Sequence, residues 1–186
     1  MVEYIKIYDR VLSPAFCDAL IDEFHRNTSS IQHFPGWMDQ IGMCETKPKF
    51  PGLPRPYDWK DETLQLNGKI LPLIEDYVDE LDHFKILPKN WDQEAYRIKR
   101  YRQNQQEFRL HADCSTVINS SRFLAVLIYL NDNDAGTEFP THDFYVEAKQ
   151  GRIVVFPPAW PWPHRGLRPE KSDKYIVSTY FCYPKK

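Results

Sequence analysis

The stretch RFLAVLIYL, residues 122–130, is apolar at every position after its first. A strand with one wet face alternates apolar and polar residues, whereas a strand covered on both faces reads as a continuous apolar run. This segment therefore predicts a central strand with packing above and below it. Further β-rich runs surround it, separated by turn residues: AYRIKRY (95–101), FRLHAD (108–113), GRIVVF (151–156) and KYIVSTYFCY (174–183). The cluster RIKRYR, 97–102, reads as a strand with one charged face.

Upstream the texture differs. IKIY (5–8) suggests a short strand, and the run from Ser13 to Asn27 carries a helix start, with Ser13 as N-cap and Pro14 at the first helical position. Phe16, Ala19, Leu20 and Phe24 form its apolar stripe. Residues 33–58 are rich in Pro and Gly and read as a long loop of the kind that carries recognition. A second helix is predicted over 61–84, with Leu64, Ile74, Tyr77, Val78 and Leu81 on one side and a possible break at Pro72. Helices followed by a series of antiparallel strands predict an α+β fold. Its core over 94–186 is a β-sandwich or a jelly roll, supported by N-terminal helices and a loop over 1–93, in a single domain spanning 1–186.

A chain of 186 residues with 15% aromatic and 27% charged residues can bury a core and is not disordered. The net charge of −2, without a long basic run, argues against nucleic-acid or membrane-surface partners. No window reaches the length of a membrane span, and the first ten residues, MVEYIKIYDR, lack a signal-peptide apolar core. Cys17, Cys44, Cys114 and Cys182 are widely spaced. The expectation is a cytoplasmic chain with reduced thiols.

The chemistry concentrates in three places. His111 and Asp113 stand at i and i+2 of a predicted strand, so their side chains can converge on one ion. His164 follows the run PPAWPWP (157–163), whose prolines restrict the approach to it and pre-order the ring. Two histidines and one carboxylate make the facial triad of a non-haem Fe(II) site with open positions. Ten residues past His164, Lys174 opens the last long strand, where a cation can bind the far carboxylate of an iron-chelated dicarboxylate.

In order, His111-x-Asp113, GTEF (136–139), AKQGRIVVFP (148–157), His164 and Lys174 resemble the Fe(II)/2-oxoglutarate-dependent dioxygenases, in particular the prolyl 4-hydroxylase-like branch in its short phage and bacterial form. The resemblance covers about 95–183. It implies a double-stranded β-helix (jelly-roll) core, Fe(II), 2-oxoglutarate and dioxygen as cofactors, ascorbate as reductant, and hydroxylation of a C–H bond with release of succinate and CO2. It also implies that Tyr129, Ser178 and Tyr101 join Lys174 around 2-oxoglutarate, and that Leu127, Ala125 and Tyr180 line the pocket. Trp160 and Trp162 are expected to wall the site, while Trp37, Tyr57 and Trp59 are expected to stack on proline rings. Two departures bear on the substrate side. RQNQQEFRL (102–110) lacks the glycine turn many prolyl hydroxylases show there, and Ala148 replaces a proline. The resemblance and the 33–58 loop imply a prolyl or other peptidyl residue as the first substrate class, and the departures keep a free amino acid or other small molecule as the alternative. A non-catalytic jelly-roll metal-binding protein is a remote third reading, since it would lack a triad residue or Lys174. Nucleic-acid demethylation is disfavoured because only Arg165 and Arg168 follow His164 closely.

Overall fold

The computed structural model describes residues 3–43, 57–83 and 85–184. Its strands are β1 (Lys6–Tyr8), β2 (Gln32–Phe34), β3 (Met38–Met43), β4 (Asp92–Gln93), β5 (Tyr96–Tyr101), β6 (Phe108–His111), β7 (Arg122–Tyr129), β8 (Asn133–Phe139), β9 (Phe144–Ala148), β10 (Ile153–Phe156), β11 (His164–Gly166) and β12 (Lys174–Cys182). Two helices accompany them, α1 (Pro14–Arg26) and α2 (Lys60–Leu81). The larger sheet has the order β1-β10-β7-β12-β5-β3-β2, with β4 on β12, and the smaller has the order β6-β11-β8-β9. All the pairings are antiparallel. Two such sheets face to face, with helices on one outer side, make the α+β jelly roll. Four strands from the first 93 residues, β1, β2, β3 and β4, join the larger sheet.

The continuous apolar run over 122–130 follows from this layering. Leu124, Val126 and Ile128 point to one core with the helices, while Ala125, Leu127 and Tyr129 point to a second core between the sheets. β12 repeats the pattern, with Tyr175, Val177 and Phe181 on the helix side and Ile176 and Tyr180 inside. α1 begins where Ser13 caps it, its hydroxyl accepting from the Phe16 N–H at 3.3 Å, and it buries Cys17, Leu20 and Phe24. α2 packs Leu66, Ile70, Ile74, Tyr77 and Leu81 against the sheet's outer face. Leu64, expected on that stripe, is 59% exposed. The helix runs unbroken through Pro72, because Pro72 and the residue four before it, Gly68, both lie on the exposed side. There water can satisfy the carbonyl that the proline leaves free.

The segment 33–58 is not all loop. Residues 32–43 form the β2–β3 hairpin, and β3 pairs with β5 along five residues. MDQIGM reads poorly as a strand because Asp39 interrupts it. Yet that carboxylate is buried and accepts from Arg100 at 2.6 and 3.0 Å, from Arg102 at 2.8 Å and from Gln106 at 3.3 Å. Burial alone would raise the Asp39 carboxyl, but hydrogen bonds from His33, Arg100, Arg102 and Gln106 bring it down to about 2. Residues 44–56 of the expected loop lie outside the described residues. The sequence reading also has no strand over 133–148, where β8 and β9 pair.

Candidate metal centre

His111 ends β6 and His164 opens β11, and the two are cross-strand partners. Their ring centroids stand 4.3 Å apart. Asp113 lies just past the end of β6, in the bend that follows rather than on the strand. A backbone bond from the Cys114 N–H to the Pro158 carbonyl, 3.0 Å, ties that bend to the proline run preceding His164. The arrangement brings three ligand atoms within 4.8 Å of one another. Asp113 Oδ1 is 3.2 Å from His111 Nε2, and Oδ2 is 3.3 Å from His164 Nε2.

The hydrogen bonds fix what these atoms offer. His111 Nδ1 lies 2.8 Å from the Arg109 carbonyl and His164 Nδ1 lies 3.2 Å from the Trp162 carbonyl. A carbonyl only accepts, so each Nδ1 carries the proton and each neutral ring presents the Nε2 lone pair. Two lone pairs and a carboxylate then converge with no proton among them, and buried Asp113 Oδ2 has no hydrogen-bond donor among the described residues. A cation bound between them resolves that repulsion, so the residues fit a divalent metal. Tyr180 donates its hydroxyl to Asp113 Oδ1 at 2.8 Å, and Arg122 donates to the Asp113 carbonyl at 3.0 Å. Arg122 also stacks on the Tyr180 ring at 3.6 Å and grips Glu94 through two bonds.

A narrow cavity runs inward from the triad, and Lys174, Tyr101, Tyr129, Leu127, Ile176 and Tyr180 help to line it. Lys174 pairs with Tyr101 in register and is 2% exposed, its Nζ donating to the Leu167 carbonyl at 2.9 Å. Burial pushes its ammonium down to about 7. Tyr129 donates to Thr137 Oγ1 at 2.7 Å. Ser178 shares the face of Lys174 and Tyr180 on β12, and its buried Oγ has no hydrogen-bond partner among the described residues. The β8–β9 turn region leaves no room beside Gly136, where a Cβ would stand 1.9 Å from the Val146 carbonyl.

Outside the cavity lies a groove of about 570 Å³, lined by Phe34, Trp37 and Met38 of the hairpin, by Phe108 and Leu110, and by the two ligands on β6 and its following bend. Of the aromatics expected at the substrate side, Trp37 is here, its ring 5.9 Å from Phe108. Tyr57 and Trp59 instead pack on each other, at 4.8 Å, against the helix-side core. Trp160 is not brought to the site, being 81% exposed and absent from the cavity lining. Trp162 packs on Tyr4 and His142, so it serves His164 through its carbonyl rather than its ring. Thr137, Phe108, Gly166 and Lys99 also line the cavity without having been singled out in the sequence. Thr137 and Phe108 stand inside the quoted motifs GTEF and FRLHAD, and only three-dimensional pairing reveals their direction.

The family model of the 2OG-Fe(II) oxygenase superfamily matches residues 96–182, which contain the triad and Lys174. No curated protein matches the chain by sequence. Among solved structures, a viral collagen prolyl hydroxylase from Paramecium Bursaria Chlorella virus-1, in its 2OG complex, superposes with TM-score 0.68 at 18% identity, covering 98% of this chain and 97% of that one. A Pseudomonas putida prolyl-4-hydroxylase gives TM-score 0.68 at 16% identity, covering 98% and 94%. A Trichoplax adhaerens prolyl hydroxylase, in complex with a hypoxia inducible factor peptide fragment, gives 0.66 at 10% identity, covering 97% and 84%. At these identities the likeness is one of fold.

Proposed function

We propose, on the premise that the chain belongs through residues 96–182 to the 2OG-Fe(II) oxygenase superfamily and is a 2-oxoglutarate-dependent dioxygenase, that it hydroxylates a prolyl or other peptidyl residue. The observation that carries the peptide reading is the open groove beside the triad, lined by Phe34, Trp37 and Leu110. A free amino acid needs no such length of surface, whereas an extended peptide does.

His111, Asp113 and His164 would hold Fe(II). With iron bound, 2-oxoglutarate and dioxygen supply the oxidising chemistry, one oxygen atom ending in succinate beside released CO2 and the other in the hydroxyl of the product. The chain's own groups position and shield. The Arg109 and Trp162 carbonyls orient the two rings, and Tyr180 restrains Asp113. Lys174 supplies the cation for the distal carboxylate of 2-oxoglutarate, with Tyr129, Ser178 and Tyr101 beside it. Leu127 and Ile176 keep the inner wall apolar and exclude water. Cys17, Cys114 and Cys182 are free thiols, which suits a reducing compartment such as the cytoplasm.

The test is succinate release with Fe(II), 2-oxoglutarate and ascorbate, comparing proline-rich peptides with free amino acids. Peptide-dependent succinate with a matching mass increase of one oxygen supports the reading. Stimulation by free amino acids alone replaces it with the small-molecule alternative.

A further inference from the structure

Lys99 is a residue of the inner cavity for which neither iron nor 2-oxoglutarate accounts. It lies in mid-β5, between Gln40 of β3 and Ile176 of β12, and is 6% exposed. Its Nζ stands 5.5 Å from the centre of the Phe108 ring, and among the described residues no hydrogen bond or ion pair holds it. Burial pushes the ammonium down to about 8, against the pull of Asp113. It lines both the inner cavity and the outer groove, so it stands where one opens into the other.

A buried ammonium without a partner is costly, and an apolar side chain of similar length would fill the space without that cost. The surrounding charges do not supply a partner. A divalent ion on the two histidines and Asp113 carries one net positive charge. Dianionic 2-oxoglutarate against Lys174 carries one net negative charge, and the two cancel. Arg97 and Arg122, also at the groove, are both paired with Glu94. Among the described residues, Lys99 alone of these groups has no ion pair or hydrogen bond.

We infer that Lys99 receives a carboxylate of the substrate, so that the enzyme selects substrates bearing an acidic group close to the C–H bond it hydroxylates. The carboxylate is an Asp or Glu side chain beside the target residue or the free C-terminus of a peptide. The inference rests on the hydroxylase reading above and specifies the substrate class for the same site.

Binding is measured without oxygen, with Fe(II) and 2-oxoglutarate present, by calorimetry on three matched pairs. These are a proline-containing hexapeptide with Glu or Gln beside the proline, the same peptide with a free or amidated C-terminus, and free proline with prolinamide. The wild type is expected to bind the anionic member of at least one peptide pair about tenfold or more tightly, as a charge-assisted hydrogen bond would give. Which pair responds identifies the source of the carboxylate. Lys99→Met, with Lys99→Gln as a second variant, should equalise that pair, leave 2-oxoglutarate affinity within about twofold and not lower the melting temperature. Equal binding of charged and neutral members by the wild type overturns the inference. So does a Lys99→Met variant that weakens 2-oxoglutarate and keeps the charge preference. Charge-selective binding of free proline alone keeps the role of Lys99 and overturns the peptide reading, and binding of none of the six overturns both.

Discussion

His111 and His164 are directly opposed in the β6–β11 ladder, and each donates Nδ1–H to the carbonyl two residues before it. The symmetry makes the strand pairing itself the device that aims both Nε2 atoms at Asp113. Alanine at any of the three is therefore expected to abolish turnover, and to abolish metal binding as well. Saturating Fe(II) at about a hundredfold over its dissociation constant should stabilise the wild type by about 2.7 kcal/mol. For a chain of this size that is roughly 5–10 °C in melting temperature under anaerobic conditions. A triad variant that keeps this shift would show that the ion sits elsewhere.

Tyr180 tests the next layer. Its hydroxyl holds Asp113 Oδ1 at 2.8 Å, and burial, with the charge of Asp113, raises the phenol well above its ordinary value, so it stays a donor. Tyr180→Phe keeps the ring under Arg122 and removes only the oxygen. Iron affinity, measured by anaerobic titration, is expected to fall about 10–100-fold, as for other groups that orient metal ligands. An unchanged affinity would confine Tyr180 to lining the pocket.

Lys174 gives a pH signature. With its ammonium pushed down to about 7 by burial, the free enzyme holds Lys174 increasingly neutral above that pH. Binding the dianion must then take up a proton. The apparent KM for 2-oxoglutarate is expected to rise by up to about tenfold for each pH unit above 7. Lys174→Ala should raise it about tenfold or more at neutral pH and flatten the pH dependence, while iron binding survives. If Lys174→Ala leaves KM unchanged, Arg168 is the next candidate for the role.

How far the sequence leads is clearest in β5. AYRIKRY is legible as a strand, but its charges do not share one face as the alternation suggests. Lys99 turns inward with Tyr101, and Arg100 turns outward to Asp39 on β3. Spacing alone cannot show that a buried lysine is tolerated, because the reason lies in what else fills the cavity. The central strand β7, the His111–Asp113 pair and Lys174 are legible since each rests on local alternation or fixed spacing. β3 is not, because its Asp39 becomes compatible with a central strand only once Arg100 and Arg102 arrive from β5 and its following turn. The tryptophans at 160 and 162 mislead for the converse reason: bulky rings beside a ligand suggest a wall, yet the Trp162 backbone carbonyl, not either ring, serves the metal site.

That Asp39 cluster has a measurable role of its own. A carboxyl held at about 2 contributes roughly 2 kcal/mol at neutral pH. Because the folded value is depressed, the contribution is present above the ordinary carboxylate range and is lost as pH falls through about 4 towards 2. Asp39→Asn is expected to flatten acid denaturation over that window and to lower stability at pH 7 by a similar amount, leaving Arg100 and Arg102 without their anion. Equal acid sensitivity of variant and wild type would assign the transition to other groups.

The hairpin that Asp39 pins lines the groove proposed to take substrate, and Trp37 is its exposed tip, 48% accessible and edge-on to Phe108. The backbone also couples hairpin and site, through the Glu107 N–H to the Gly36 carbonyl at 3.3 Å. Trp37 touches neither the triad nor Lys174 among the described contacts, so its loss should spare both cofactors. Trp37→Ala is expected to leave slow, substrate-independent 2-oxoglutarate decarboxylation unchanged. Substrate-stimulated turnover should fall about tenfold or more, in KM rather than in iron affinity, since an aromatic stacking platform contributes roughly 1–3 kcal/mol. Side-by-side succinate assays with and without peptide separate the two rates. Should peptide stimulation survive intact while the variant folds, the peptide does not cross the hairpin. The groove would then be read from its other lining residues, Leu110, Ser115, Thr116 and Asn119.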